Sequence, residues 1–520
     1  MSTQSQQPPS LWETVERAAE RYPDRVMLRD EYGFVATFSE FRDWSARMAR
    51  ELAAQGIAAD DVVVWQLPSQ SRTLMAMAAL SLLGAKQVPL ITQYRSRELS
   101  FVTEEINPQH FIVPDRWRAI DFVGLAKESS PAETRVIALP QLDQLEESVP
   151  APLPGAGVRR DEWVYYTSGT TGNPRGAMHQ TANFLAGGEC WAERVGVRPT
   201  DCLTINFPIA HVGGICYLLV SLMAGCSIAI SDTFGPHLFD FYEESGVTLA
   251  AAGTAFHQVF LHEQRQHPER RLLPSVRAFV GGGAPKPSSL HYAMKETFDG
   301  IGVVSGYGMT EGMMLSMNRP GDQDDKLARS EGMPGLRVDL RIVGADGVVC
   351  ASGAVGEIRV KSPTLFSGYV NPELTARAFD EQGYLHTGDL GYLDEDGYLI
   401  ISGRMKDVII RKGETLDAKE IEDALATHPA VVEVAVVGIP DEDRGELVCA
   451  VVVMSEAYAD TPEQEVIDTF IRHVKERGLM KQKIPERFEF QLVLPRNPTG
   501  KVKKDQLRTT LADGESGAGA

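Results

Sequence analysis

Between Val62 and Val113 short apolar runs alternate with longer ones. Val62–Leu67, Val88–Ile91 and Phe111–Val113 are strand-length, whereas Arg72–Leu83 and Arg97–Ile106 are helix-length. Strands that alternate with helices require a largely parallel sheet covered on both faces, which restricts the chain to the α/β class. Two amphipathic stripes precede this block. Leu11, Val15, Ala18, Ala19 and Tyr22 make one; Phe41, Trp44, Met48 and Leu52 make the other, with Ser39 as its expected cap and Gly56 as its stop. At 520 residues the chain exceeds a single core and is expected to hold at least two domains.

The net charge of −20 argues against general binding to nucleic acid or anionic membrane. It also means that an anionic ligand must be met by a local group of cations. Cys190, Cys202, Cys216, Cys226, Cys350 and Cys449 show no C-x-x-C pairing and no Cys/His ligand spacing, so they read as reduced thiols. Met1–Ser10 lacks the layout of a signal peptide. The apolar runs Thr73–Ala85 and Tyr217–Ile230 are shorter than the roughly 20 residues a membrane span needs. The expectation is a cytoplasmic protein with no transmembrane segment; a homodimer is compatible with the sequence, which specifies no assembly.

The stretch from Tyr165 to Gly176 carries the most chemistry. Thr167, Ser168, Gly169, Thr170, Thr171 and Gly172 follow a short strand (Trp163–Tyr166) and precede Arg175. Glycines let the backbone approach a ligand closely, loop N–H groups and hydroxyls form a concave donor surface for phosphate oxygens, and the guanidinium adds a charge-assisted contact. It is not a P-loop, since no Lys-Ser or Lys-Thr follows a glycine at that spacing. The stretch resembles the phosphate loop of the adenylate-forming enzymes: acyl-CoA synthetases, peptide-synthetase adenylation domains and luciferases. Their usual form is T-S-G-T-T-G-x-P-K-G, so Arg175 stands where the family has lysine, keeping the charge and changing the hydrogen-bond geometry.

Further motifs continue the resemblance in order. Pro208, His211 and Gly214 match P-x-x-H-x-x-G; Phe279–Pro285 matches the glycine turn; Tyr307-Gly308-Met309-Thr310-Glu311 matches Y-G-x-T-E. Gly356–Val360 and Gly368-Tyr369 follow, then Tyr384–Gly391, Gly403–Asp407, and Pro495–Lys501 as P-x-x-x-x-G-K. The likeness spans about Leu11 to Leu507. It implies a large N-terminal domain (1–403) of mostly parallel sheets covered by helices, and a small mobile α+β domain (404–520) that turns about a hinge at Lys406. In the C-terminal part the sequence reads helix Ala418–Thr427, strands Val432–Val437 and Leu447–Met454, and a second helix with Thr461 as cap and Gln464 completing a capping box.

The resemblance also implies roles. The 167–172 loop and Arg175 would hold the β,γ-phosphates of ATP. Gly283, Ala284 and Pro285 would carry the adenine with Tyr307, Thr310 would bond the α-phosphate, and Glu311 would hold Mg²⁺, for which one carboxylate suffices beside phosphate oxygens and water. Asp389 and Arg404 would take the ribose hydroxyls. Lys501 would act on the carboxylate and bridging oxygens as charge develops. His211, Gly213, Gly281, Gly306, Gly308 and Met313 would line the acyl pocket, and Lys412 with Gly413 would meet coenzyme A.

The implied activity is an ATP-dependent acyl-CoA synthetase: a carboxylic acid gives acyl-AMP and pyrophosphate, then a CoA thioester and AMP. Phe207–Tyr217 holds no acidic residue to receive a substrate ammonium group, and Gly308 replaces the bulky residue that closes the pocket in acetate-specific members. A medium-chain, alicyclic or aryl acid of fatty-acid-type metabolism is therefore expected. Two alternatives stand beside it. An acyl-AMP ligase would load a carrier protein, and a catalytically inactive nucleotide- or acyl-binding sensor would explain the departure at Arg175.

Overall fold

The computed structural model describes residues 8–146, 162–167, 174–251, 253–283, 286–411, 414–441, 444–496 and 501–516. The alternating block forms a seven-stranded sheet in the order Gly368–Tyr369, Arg175–Gln180, Glu162–Thr167, Lys86–Pro89, Val62–Trp65, His110–Val113, Arg135–Ala138. Five of these strands run parallel; the first two are antiparallel additions. A nine-stranded sheet carries the rest of the large α/β unit. Its centre is the parallel set Val303–Met309, Ala278–Gly282, Leu249–Ala251, Cys202–Ile205, Ser227–Ile230 and Val26–Asp30.

Helix Ser71–Leu83 is buried along nearly its whole circumference, and helix Val212–Ala224 is almost as enclosed. A helix apolar on all faces must lie between layers, and both pack in the main core with Trp65, Trp163 and Trp191. These two elements, with strand Ser227–Ile230, account for the apolar runs at Thr73–Ala85 and Tyr217–Ile230. No helix among the described residues is long and apolar enough to cross a membrane.

Three details differ from the sequence reading. An antiparallel four-stranded sheet (Asp339–Val343, Gly356–Lys361, Leu385–Leu393, Leu399–Arg404) adds to the parallel ones. The second helix starts at Phe38 and is capped by Thr37, not Ser39: the Thr37 hydroxyl accepts from Glu40 N at 3.2 Å and the Glu40 carboxylate accepts from Thr37 N at 2.8 Å. Helix Glu463–Glu476 has Pro462 at its cap position; proline has neither a side-chain acceptor nor an N–H, so no side-chain cap or capping box forms, and Gln464 bonds Asp468.

Strand Leu399–Arg404 ends the four-stranded sheet; a short turn, Met405–Asp407, leads to Ile409–Arg411, which belongs to a separate five-stranded sheet with its own core of Ile421, Val436, Val448 and Phe470. The helix Ala418–Leu425 of this second unit lies against Leu399–Arg404. The bare Cα of Gly403 faces the Asp417 carboxylate, which burial pushes up to about 6.

At the edge of the nine-stranded sheet Gly332 has φ +80°, and a Cβ there would fall 1.8 Å from the Met317 carbonyl carbon. Gly332→Ala is expected to destabilise the protein by about 2–5 kcal/mol through combined strain and overpacking. Urea unfolding followed by circular dichroism measures this; a loss below ~1 kcal/mol would show that the hairpin edge relaxes freely.

Candidate active site

The carboxyl ends of parallel strands converge where a doubly wound sheet ordinarily binds ligands. Strand Glu162–Thr167 ends there and returns as Arg175–Gln180, with Thr167 opposite Arg175. The two strands that flank the phosphate-loop stretch are therefore antiparallel partners, and Arg175 is the first ladder residue of the returning strand. Ser168, Gly169, Thr170, Thr171 and Gly172 lie outside the described residues, as do Ala284, Pro285, Lys412 and Gly413.

Thr310 and Glu311 are the two-residue turn of a hairpin, between Val303–Met309 and Gly312–Met317. Three bonds hold this turn. Buried His179 Nε2 lies 2.7 Å from the Thr310 carbonyl, Phe366 N donates to the Glu311 carbonyl at 2.9 Å, and the Tyr369 hydroxyl donates to Glu311 Oε1 at 2.7 Å. Burial first, then Glu311, raise the Tyr369 phenol pKa, while the Arg175 guanidinium acts on the same oxygen in the opposite sense. Glu311 is 7 % exposed, and its Oε2 makes no bond among the described residues. A single carboxylate with one oxygen to spare suits a magnesium ion that takes its remaining ligands from phosphate and water. No cluster of three or more His, Cys, Asp or Glu able to hold a metal by itself occurs among the described residues.

Further back along Val303–Met309, the Tyr307 hydroxyl donates to Asp389 Oδ2 at 2.6 Å, and Arg404 Nε stands 3.1 Å from Asp389 Oδ1. Asp389 and Arg404 are direct cross-strand partners. The Thr387 hydroxyl accepts from Asp389 N at 3.1 Å and fixes the backbone there. The three residues read separately as adenine and ribose contacts thus form one hydrogen-bonded set. Burial, then Asp389, drive the Tyr307 phenol pKa well up, so it stays a donor.

Gly281 and Gly282 pair with Ser305 and Gly306 on the adjoining strand. A Cβ on Gly282 would lie 2.4 Å from the Gly306 carbonyl oxygen, and one on Gly306 would lie 2.3 Å from Met317 Sδ. Gly283 has φ +76°. These glycines bring strand ends closer than side chains allow. Gly308 differs from its expected use as empty pocket space: a Cβ there would meet the Met314 amide at 2.9 Å, so its bareness accommodates the returning strand. Met313 is buried against helix Thr181–Val195, at 2.8 Å from the position a Gly187 Cβ would take.

His211 caps helix Val212–Ala224. Its Nδ1 accepts from Gly213 N at 3.2 Å, which assigns the proton of the neutral ring to Nε2. The turn before it is pinned by Ser69, whose hydroxyl donates to Phe207 O and accepts from Ile209 N. A Cβ on Gly214 would lie 2.1 Å from Ile209 O, the physical reason for glycine there. The Phe207 ring lies over Gly213 and edge-on to Tyr217, which packs against Trp191. Burial and then the charge of Lys501 lower the His211 pKa to about 4. Lys501, from the second unit, therefore acts on the same cleft as His211. Lys406 lies in the Met405–Asp407 turn, where only its backbone is described.

Sequence reasoning missed His179 and gave Tyr369 no role, since neither has a local signature that betrays its partner.

A family model described as AMP-binding enzyme matches residues 15–370, and one described as AMP-binding enzyme C-terminal domain matches residues 420–501. The chain belongs to the AMP-binding enzyme family, within the adenylate-forming superfamily. It is similar to the long-chain-fatty-acid–CoA ligase FadD13 of Mycobacterium tuberculosis, with 33% identity over 482 residues, 91% of this chain and 92% of that one. The medium-chain fatty-acid–CoA ligase of Escherichia coli is 28% identical over 96% of this chain and 90% of its own. The o-succinylbenzoate CoA synthetase of Bacillus subtilis, solved with its acyl-adenylate intermediate, superposes with a TM-score of 0.83 at 29% identity, covering 96% of this chain and 98% of that one.

His179, His211 and His257 all have pKa values lowered to about 4, burial being the first cause in each. Unfolded histidine titrates near 6.5, so between about 6.5 and 4 the unfolded chain binds more protons and stability falls as pH falls. With ¹³C-labelled histidine, these three rings are expected to keep neutral-imidazole shifts down to about pH 5.5, while the urea midpoint declines from about pH 6.5 downward. A His211 midpoint near 6.5 would mean that the ring is open to water and free of the Lys501 charge.

Proposed function

We propose that this chain activates a hydrophobic carboxylic acid of medium size, medium-chain, alicyclic or aryl, with ATP, and transfers the acyl group to coenzyme A. The observation that carries this reading is the hydrogen-bonded set of Tyr307, Asp389 and Arg404, on the strand that leads into the Thr310–Glu311 turn, which groups residues expected to hold the nucleotide. In the first half-reaction a carboxylate oxygen attacks the α-phosphorus of ATP; the new P–O bond forms as the bond to the bridging oxygen breaks and pyrophosphate leaves. Both reactants are anionic, so the protein's task is positioning and charge neutralisation. Arg175 and the 167–172 loop hold the departing phosphates. Thr310 bonds the α-phosphate, and Lys501 stabilises the charge that develops on the bridging oxygens. Asp389 and Arg404 orient the ribose, with Tyr307 fixing Asp389 beside the adenine. Neutral His211 offers Nε2–H to the acyl end of the site. Magnesium held by Glu311 supplies neutralisation of phosphate charge.

In the second half-reaction the CoA sulfur attacks the acyl carbon, the C–S bond forms, and AMP leaves with its oxygen. We place the domain boundary after residue 403, at the last residue of strand Leu399–Arg404, and the hinge at Lys406, between the end of the four-stranded sheet and the start of the five-stranded one. A rotation there withdraws Lys501 and presents the segment containing Lys412 and Gly413 to the acyl-AMP. The aromatic group Phe207, Tyr217 and Trp191 near His211 supports an apolar acyl group, as do the fatty-acid and aryl-acid activities of the similar proteins. The six cysteines form no disulfide and five of them are buried, which supports a reducing, cytoplasmic setting.

The test is pyrophosphate release from ATP and Mg²⁺ over a panel of acids, with and without CoA. Release is expected only with hydrophobic acids, and thioester only when CoA is present. Release without thioester would indicate a carrier-protein acceptor, and no release with any acid would favour a sensor. Lys501→Ala is expected to lower acid-dependent release by about a hundredfold or more, ~2.7 kcal/mol of transition-state stabilisation. Thioester formation from supplied acyl-AMP should fall far less. Equal losses in both assays would deny Lys501 its role in the first half-reaction.

A further inference from the structure

Arg175 and Glu311 carry opposite charges and act on the same phenol oxygen, yet no ion pair within 4.0 Å joins them among the described residues. The Tyr369 hydroxyl gives its proton to Glu311 Oε1 at 2.7 Å, and Tyr369 pairs with Ala177, which shares a strand face with Arg175, so the ring lies on the face that carries the guanidinium. We propose that Tyr369 is a positioning residue that keeps Arg175 and Glu311 from pairing, leaving the guanidinium for anionic phosphate oxygens and the second Glu311 oxygen for a divalent cation bound with them. This rests on the adenylation reading above.

Tyr369 is built to stay in place. Its backbone pairs with Ala177, two residues along the strand from Arg175. Its N–H donates to the Thr375 hydroxyl at 2.8 Å, and its ring packs edge-on against Phe366 with centroids 4.8 Å apart. The preceding Gly368 has φ +140°, and a Cβ there would strike Thr375 Cγ2 at 2.7 Å, so this approach to the strand depends on glycine. Tyr369 is 7 % exposed, and its oxygen bonds the Glu311 carboxylate. A direct guanidinium–carboxylate pair in so dry a place would be strong and self-satisfying. It would remove from the site both of the poles that a magnesium–nucleotide complex needs. A neutral donor satisfies one carboxylate oxygen and leaves the negative charge unspent.

The experiment follows Mn²⁺ by electron paramagnetic resonance in the presence of the full-length enzyme and a non-hydrolysable ATP analogue. Tyr369→Phe keeps the ring and removes the hydroxyl, and circular dichroism checks that it is folded. It is expected to weaken Mn²⁺ binding about five- to tenfold, the scale of one charge-assisted hydrogen bond. In an Arg175→Ala background the same change should cost less than about twofold, since no guanidinium remains to collapse onto Glu311. A packing role alone predicts equal losses in both backgrounds. Equal losses, or none in either, would overturn the proposal. If the wild-type enzyme binds the Mn²⁺–analogue complex normally, such a result faults Tyr369 alone; a wild type that binds no complex overturns the adenylation reading as well.

Discussion

A carboxylate that is 7 % exposed, in a chain of net charge −20, must be bonded or paired where it stands. Glu311 is that carboxylate, and its surroundings explain much of the site. Its side chain is bonded by Tyr369, its carbonyl by Phe366 N, and the preceding Thr310 carbonyl by His179. These partners come from two places: the strand that follows the phosphate-loop stretch, and the segment that pairs with that strand's edge. One short turn therefore fastens the seven-stranded sheet to the nine-stranded one. Tyr307, on the strand that leads into this turn, inherits its position from the junction, and through Tyr307 so do Asp389 and Arg404.

The cations are distributed rather than pooled. Arg175 belongs to the strand after the phosphate-loop stretch, Arg404 ends the four-stranded sheet and is paired with Asp389, and Lys501 arrives from the second unit. Packing several cations permanently into a half-buried cleft would set them against one another and against their own desolvation. Two devices ease that conflict. Arg404 has a carboxylate partner, and Lys501 is carried by the second unit, whose approach to the cleft is adjustable in the hinge scheme. His211 fits the same logic: a neutral ring beside an incoming lysine adds a donor without adding repulsion.

Much of this was legible in the sequence because its causes are local. Gly214 is required by a carbonyl only five residues before it, and the glycines at 282 and 306 mark strand ends that must nearly touch. The parallel core followed from alternation, whose period is a local property. What escaped was set by distance or by small offsets. Tyr369 and Glu311 are 58 positions apart, and His179 and Thr310 are 131 apart; nothing in either segment alone announces the partner. The Thr37 cap was missed by two positions because Ser39 is chemically as good a cap as Thr37, and only the reach of Glu40 distinguishes them. Gly308 was read as vacancy for a ligand, whereas the backbone of Met314 occupies the space.

The departure at residue 175 looks different once its neighbour is known. An ammonium is a compact point charge whose three donors all radiate from one nitrogen, so its partners must crowd around a single atom. A guanidinium presents five N–H donors in a rigid plane and does not titrate. It can face the Tyr369 oxygen with one edge and still offer donors to phosphate oxygens with another. Arginine at 175 is therefore best judged together with Tyr369 and Glu311 as one charge–phenol–charge unit. In that unit the larger, planar cation is the member that can serve two oxygen partners at once, so the substitution is consistent with a working phosphate site rather than with the decay of one.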